Sequence, residues 1–68
     1  MRQGTVKWFN NAKGYGFLLE DDVPDDVFVH YSVIEGDGFK TLKQGERVNF
    51  EREHGPNGFL ATHVVRSS

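Results

Sequence analysis

Rings recur at alternate positions in two nearby stretches. Tyr15 and Phe17 lie in Lys13-Gly14-Tyr15-Gly16-Phe17-Leu18, and Phe28 and His30 lie in Val27-Phe28-Val29-His30-Tyr31. In an extended chain, alternate side chains share a face. Val27 and Val29 point the other way and are natural core residues. The rings therefore fall where a soluble sheet normally carries polar groups. Such a row, headed by Lys13, is chemically suited to stacking on flat π-systems that carry negative charge. Unpaired bases on a phosphate backbone fit that description. Gly14 and Gly16 add no bulk, so a flat group is expected close to the backbone there. The competing reading is that the row is a generous core. Against it, Val6, Leu18, Val27, Val29, Val33, Val48, Phe50 and Val64 already supply a core, and the rings alternate against them.

Five strands are needed to position these groups. Residues 4–10 read as a first strand rich in strand-favouring types. Trp8 and Phe9 are adjacent, so one of them is exposed unless a bulge re-aims the pair. The exposed one is expected to be Trp8, with Lys7 at the edge of the same surface. Residues 10–14 form a turn, and residues 15–20 a second strand. The acidic loop at 21–26 contains Pro24, which cannot donate to a ladder. Residues 27–30 form a third strand, paired antiparallel with the second. Periodicity then fails from Tyr31 to Gln44. Residues 32–35 suggest one helical turn capped by Ser32. Residues 36–38 read as a flexible loop, and Phe39-Lys40 again sets a ring beside a base. Residues 46–53 alternate as a fourth strand, 54–58 form a turn, and 59–66 a fifth strand. Such short strands predict an all-β fold, a small antiparallel barrel.

The chain has 68 residues, enough for one small domain with a thin core. Residues 1–66 are expected to form it, and 67–68 to fray. There is no cysteine, hence no disulfide or thiolate metal site. No apolar run reaches the length of a membrane span or a signal-peptide core. No membrane association and a cytoplasmic location are expected. The formal net charge is −2. That argues against bulk attraction to a polyanion, but the charges are unevenly distributed and the balance is locally reversed. Arg2, Lys7 and Lys13 share the first seventeen residues with Trp8, Tyr15 and Phe17 and with no acid. Residues 18–39 carry seven acids and no Lys or Arg, and the acids collect mainly in the loop at 21–26.

Catalysis is not expected. His30, His54 and His63 lack a nearby nucleophile or a spaced set of acids. No Gly-x-x-x-x-Gly-Lys-Ser/Thr phosphate loop occurs, so no cofactor or small-molecule substrate is implied. The aspartates at 21–26 lack the alternating ligands, glycine and distal Glu of a calcium loop, so no metal is expected. A small barrel with an aromatic groove can also bind proline-rich peptides. Lys7, Lys13 and Lys40 beside the rings favour a polyanion.

The whole chain resembles the bacterial cold-shock proteins, each a single cold-shock domain of the oligonucleotide/oligosaccharide-binding (OB) barrel type. Gly4-Thr5-Val6-Lys7-Trp8-Phe9-Asn10 resembles that family's opening strand. Residues 13–18 and 27–31 resemble its two ribonucleoprotein motifs, with Tyr15 at a position often Phe. Residues 38–42 and 45–50 resemble its later segments. The resemblance implies binding of single-stranded RNA and DNA with low sequence specificity. It implies an RNA chaperone that keeps transcripts unpaired, often in cold adaptation. The implied binding residues are Lys7, Trp8, Lys13, Tyr15, Phe17, Phe28, His30, Tyr31 and Phe39. A monomer is expected. The chain departs from the family pattern at Asn57-Gly58-Phe59, where the family often reads Arg-Gly-Pro. A cation is missing there and a ring has appeared. Phe59 is expected to cap the barrel, with extension of the stacking row as the alternative.

Overall fold

The computed structural model describes residues 1–36 and 41–66. The alternation of apolar and polar residues is realised as strands β1 (Arg2–Asn10), β2 (Tyr15–Glu20), β3 (Asp26–His30), β4 (Arg47–Gly55) and β5 (Gly58–Arg66). They close into a barrel in the order β1-β2-β3-β5-β4, with β4 also pairing β1. Closure satisfies the edges that a flat sheet would leave open. The seams β1–β2, β2–β3, β4–β5 and β1–β4 are antiparallel. The closing seam, β3–β5, is parallel and short, with Val27 opposite Phe59 and Phe28 opposite Leu60.

The core takes the inward residues of every strand. Val6, Leu18, Val27, Val29, Val48, Phe50 and Val64 are buried, as their alternation predicts. Ile34, Leu42 and Ala61 complete the core, and Val33 packs only partly against it. The expectation for Val33 is therefore corrected in favour of its neighbour. Periodicity is silent in this stretch, and an isolated bridge between Ile34 and Val64 selects Ile34. The helical turn is a 3-10 helix over Tyr31–Val33, one residue earlier than the sequence suggests. Its cap is His30, not Ser32: the Ser32 backbone N–H donates to His30 Nδ1 at 3.3 Å. The last turn is tighter than expected. β4 runs through Gly55, so Pro56-Asn57 alone join it to β5.

Two irregularities re-aim side chains. In β1, Val6 pairs with Leu18 and Trp8 with Phe17, so Lys7 is an extra, bulged residue. In β5, Ala61 pairs with Arg52 and His63 with Glu51, leaving Thr62 extra. Each extra residue shifts the alternation by one position. That is why Ala61 and Val64, three apart, both face inward. Gly16 faces inward with Leu18, where a Cβ would fall 2.2 Å from the Trp8 carbonyl oxygen. Its lack of bulk serves the β1–β2 packing, so the expected open space for a flat ligand is not there.

A buried carboxylate ends β2. Glu20 keeps the inward alternation of Leu18 and is 8% exposed. It accepts from Arg52 Nε at 2.5 Å and from Arg2 Nη1 at 3.0 Å. A buried carboxylate requires such partners. The Arg52 hydrogen bond chiefly holds its carboxyl below the ordinary 4.5, against the opposing effect of burial. Asp21, from the acidic loop, pairs with Arg47 through both oxygens, at 2.9 and 2.7 Å.

Candidate nucleic-acid interface

β2 and β3 carry the rings into register. Phe17 lies opposite Phe28, and Tyr15 opposite His30. The β1 bulge turns Trp8 to the same side and Phe9 toward the core. Trp8 is 37% exposed, as expected from the sequence. Its ring sits 5.8 Å from Tyr15 and 5.4 Å from Phe17, edge-on or tilted. Tyr15 stacks on Phe28 at 5.9 Å, and Phe17 meets Phe28 edge-on at 5.7 Å. These four rings form one continuous aromatic surface over three strands. Their mutual contacts limit side-chain motion, so less entropy is lost when a flat partner lies on them.

His30 and Tyr31 extend the surface, with ring centres 4.5 Å apart. His30 Nδ1 also lies 2.8 Å from Ser32 Oγ, which with the Ser32 N–H holds the ring in place. The Tyr31 N–H donates to the Gly14 carbonyl at 2.8 Å. A Cβ on Gly14 would meet the Tyr31 ring at 3.3 Å, and its φ of +78° also favours glycine. The flat group against Gly14 is thus the protein's own Tyr31. The Asn10 side chain accepts from the Lys13 backbone N–H at 2.9 Å, fixing the turn that carries Lys13. Lys13 is exposed and has no ion pair among the described residues. Lys7 is not free: its Nζ lies 3.0 Å from Asp26 Oδ2. Phe39 and Lys40 lie outside the described residues.

Among the described residues, two clefts flank the rings. One, of about 680 Å³, is lined by Lys7, Phe17, Asp26 and Phe59 among others. The other, of about 370 Å³, lies between Phe17, Phe28, Pro56 and Leu60. Sequence reasoning missed Leu60 and Pro56. The parallel seam brings them to Phe28, and no local pattern announces that seam. Phe59 packs partly against the core and also lines the larger cleft, so its position is compatible with both the capping expectation and its stacking alternative. The Arg52 guanidinium lies 3.7 Å from its ring centre, and His54 meets it edge-on at 5.4 Å.

Among the described residues, no group of three or more His, Cys, Asp or Glu side chains could hold a metal ion. No described helix is long and apolar enough to cross a membrane.

Comparison with known proteins agrees with this geometry. The family model described as the 'Cold-shock' DNA-binding domain matches residues 2–67. The chain is 53% identical over 66 residues to the major cold shock protein of Micrococcus luteus, covering 97% of this chain and 98% of that one. It is 52% identical over 65 residues to the cold shock-like protein CspD of Vibrio cholerae, covering 96% and 86%. It is 55% identical over 62 residues to the cold shock-like protein CspA of Shewanella violacea, covering 91% and 89%. A closed five-stranded barrel, an outward aromatic surface and a match over nearly the whole chain lead to one conclusion: this chain belongs to the cold-shock domain family, a family of nucleic-acid-binding proteins.

Proposed function

We propose that the protein binds single-stranded RNA and DNA with low sequence specificity and acts as an RNA chaperone. The observation that carries this reading is the continuous surface of Trp8, Tyr15, Phe17 and Phe28 on the outside of the barrel. Bases stack on such rings only when unpaired, and every base has a π-face, so sequence matters little. Tyr31 and His30 continue the track, Phe39 is assigned to the binding surface by the family resemblance alone, and Lys13 meets phosphate, with Lys7 joining it only where it leaves Asp26. Rings that hold bases apart compete with hairpin pairing, so the bound transcript stays open without any expenditure of nucleotide. The protein works as a monomer built from residues 1–66, in the cytoplasm, where transcripts are found. The names of its relatives support a role in the response to cold.

Trp8 supplies the test. A uracil- or thymine-rich single strand is expected to quench its fluorescence on binding, and a matched duplex to quench it much less. Equal quenching by both would show that binding does not discriminate strand state. A proline-rich peptide that quenched more than either would assign the surface to protein partners.

A further inference from the structure

The Asn57-Gly58-Phe59 turn lacks a cation beside the aromatic surface, yet a cation is present one strand away. Arg52 reaches the Phe59 ring from β4, and its side chain is only 13% exposed. It is held at its other side by the buried Glu20 carboxylate, which Arg2 also braces. A guanidinium fixed by a buried carboxylate is a rigid plate, and a ring under it is attracted to it and oriented by it. Phe59 therefore has its direction set by Arg52, His54 and the core together. Phe59 and Phe17 both line the cleft of about 680 Å³. That volume is ample for one nucleotide base. The cleft is continuous with the stacking surface, because Phe17 belongs to both. Asp26 also lines it, with Lys7 paired to that carboxylate. A carboxylate repels phosphate and accepts N–H groups, so the cleft suits the base and leaves the backbone outside.

We propose that Arg52 is a positioning residue: anchored on Glu20, it fixes Phe59 as the outer wall of a cleft that takes one further base beside Phe17. This rests on the single-strand binding proposed above. It assigns to this chain a separate, added step in affinity at one end of the bound strand. That step depends on a contact between β4 and β5 that lies outside the ring surface itself.

A length series separates the two readings. Oligothymidylates of increasing length are titrated into the whole chain, with Trp8 fluorescence as the signal. Phe59→Leu keeps apolar volume against the core but removes the ring, and urea melts check that it remains folded. Its dissociation constant should match wild type for the shortest strands and rise about fivefold or more once the strand reaches the cleft. Arg52→Met, combined with Glu20→Gln so that no buried charge is orphaned, should show the same length threshold with a smaller loss, about twofold to fivefold. Variants that bind every length like wild type overturn the proposal. So does a loss that is equal at all lengths, since that is a general structural effect. Failure of wild type to bind any single strand would instead overturn the proposed function.

Discussion

Phe28 and Phe50 are the same residue type on neighbouring parts of one small barrel, and their removal should have opposite consequences. Phe50 is 0% exposed, whereas Phe28 shows one face outward among Tyr15 and Phe17. Phe50→Ala should cost about 3–5 kcal/mol through lost burial and a cavity. That is comparable with the whole stability of a domain this small. Phe28→Ala should leave the urea midpoint much nearer wild type and weaken binding of a thymine-rich strand by about 1–3 kcal/mol. A Phe28→Ala protein that unfolded like Phe50→Ala would make the ring a core residue. Gly14 is the other residue on which the surface depends. Gly14→Val places a branched side chain at a φ of +78° and against the Tyr31 ring, so it should destabilise by about 1–3 kcal/mol. The readout is a lowered melting midpoint, accompanied by displacement of Tyr31 seen in its ring proton shifts.

At the scale of strands, alternation made most of the site legible. Val27 and Val29 inward fixes Phe28 and His30 outward, and Leu18 inward fixes Phe17 outward. The bulge at Lys7 could be anticipated only as one way to resolve the Trp8-Phe9 pair. The bulge at Thr62 left no signal, because it answers the geometry of barrel closure. Nor could alternation speak where no strand exists, which is why Ile34 and Leu42 were missed as core. Glu20 was legible as the end of the second strand, but its burial was not anticipated. In sequence it groups with the acids of the following loop, although it shares the inward parity of Leu18. Its burial has a consequence in pH. A carboxyl whose folded pKa lies below its ordinary 4.5 stabilises the fold above that pH and loses the effect as pH falls through the folded value. Asp21 behaves likewise from 3.8 downward, through its Arg47 hydrogen bonds. The thermal midpoint should therefore be level above about pH 5.5 and decline below about 4.5. Glu20→Gln should lower the plateau and shallow the decline. A decline of unchanged steepness in that variant would place the acid sensitivity elsewhere.

For the molecule as a whole, charge and shape divide the labour. A net charge of −2 gives no long-range pull on a polyanion, and Lys7 is already engaged by Asp26. Roughly two to four phosphates should be neutralised, so log K should fall with log salt at a slope of about −1.5 to −3. A much steeper slope, measured by fluorescence titration from low to moderate salt, would mean that ion pairing outweighs stacking. Asp26→Asn frees Lys7 and should steepen the slope slightly.

The parallel seam between β3 and β5 also bears on time. β1–β2, β2–β3 and β4–β5 join strands adjacent in the chain, so each can form early at little loop-closure cost. Val27 must find Phe59, and Phe28 must find Leu60, across half the chain. The β1–β4 seam is more distant still but is secured by four pairs, whereas β3–β5 has two, so this short parallel pairing belongs late on the folding route and opens first on the way back. The cleft of Phe17, Phe28, Pro56 and Leu60 lies directly over it. A strand seated there is joined to both sides of the joint, like a suture. Saturating oligonucleotide should then lengthen the lifetime of the native barrel while leaving its refolding rate nearly unchanged. In stopped-flow measurements the unfolding limb should drop and the refolding limb hold. Under the proposed function, the nucleic acid would thus protect the protein kinetically.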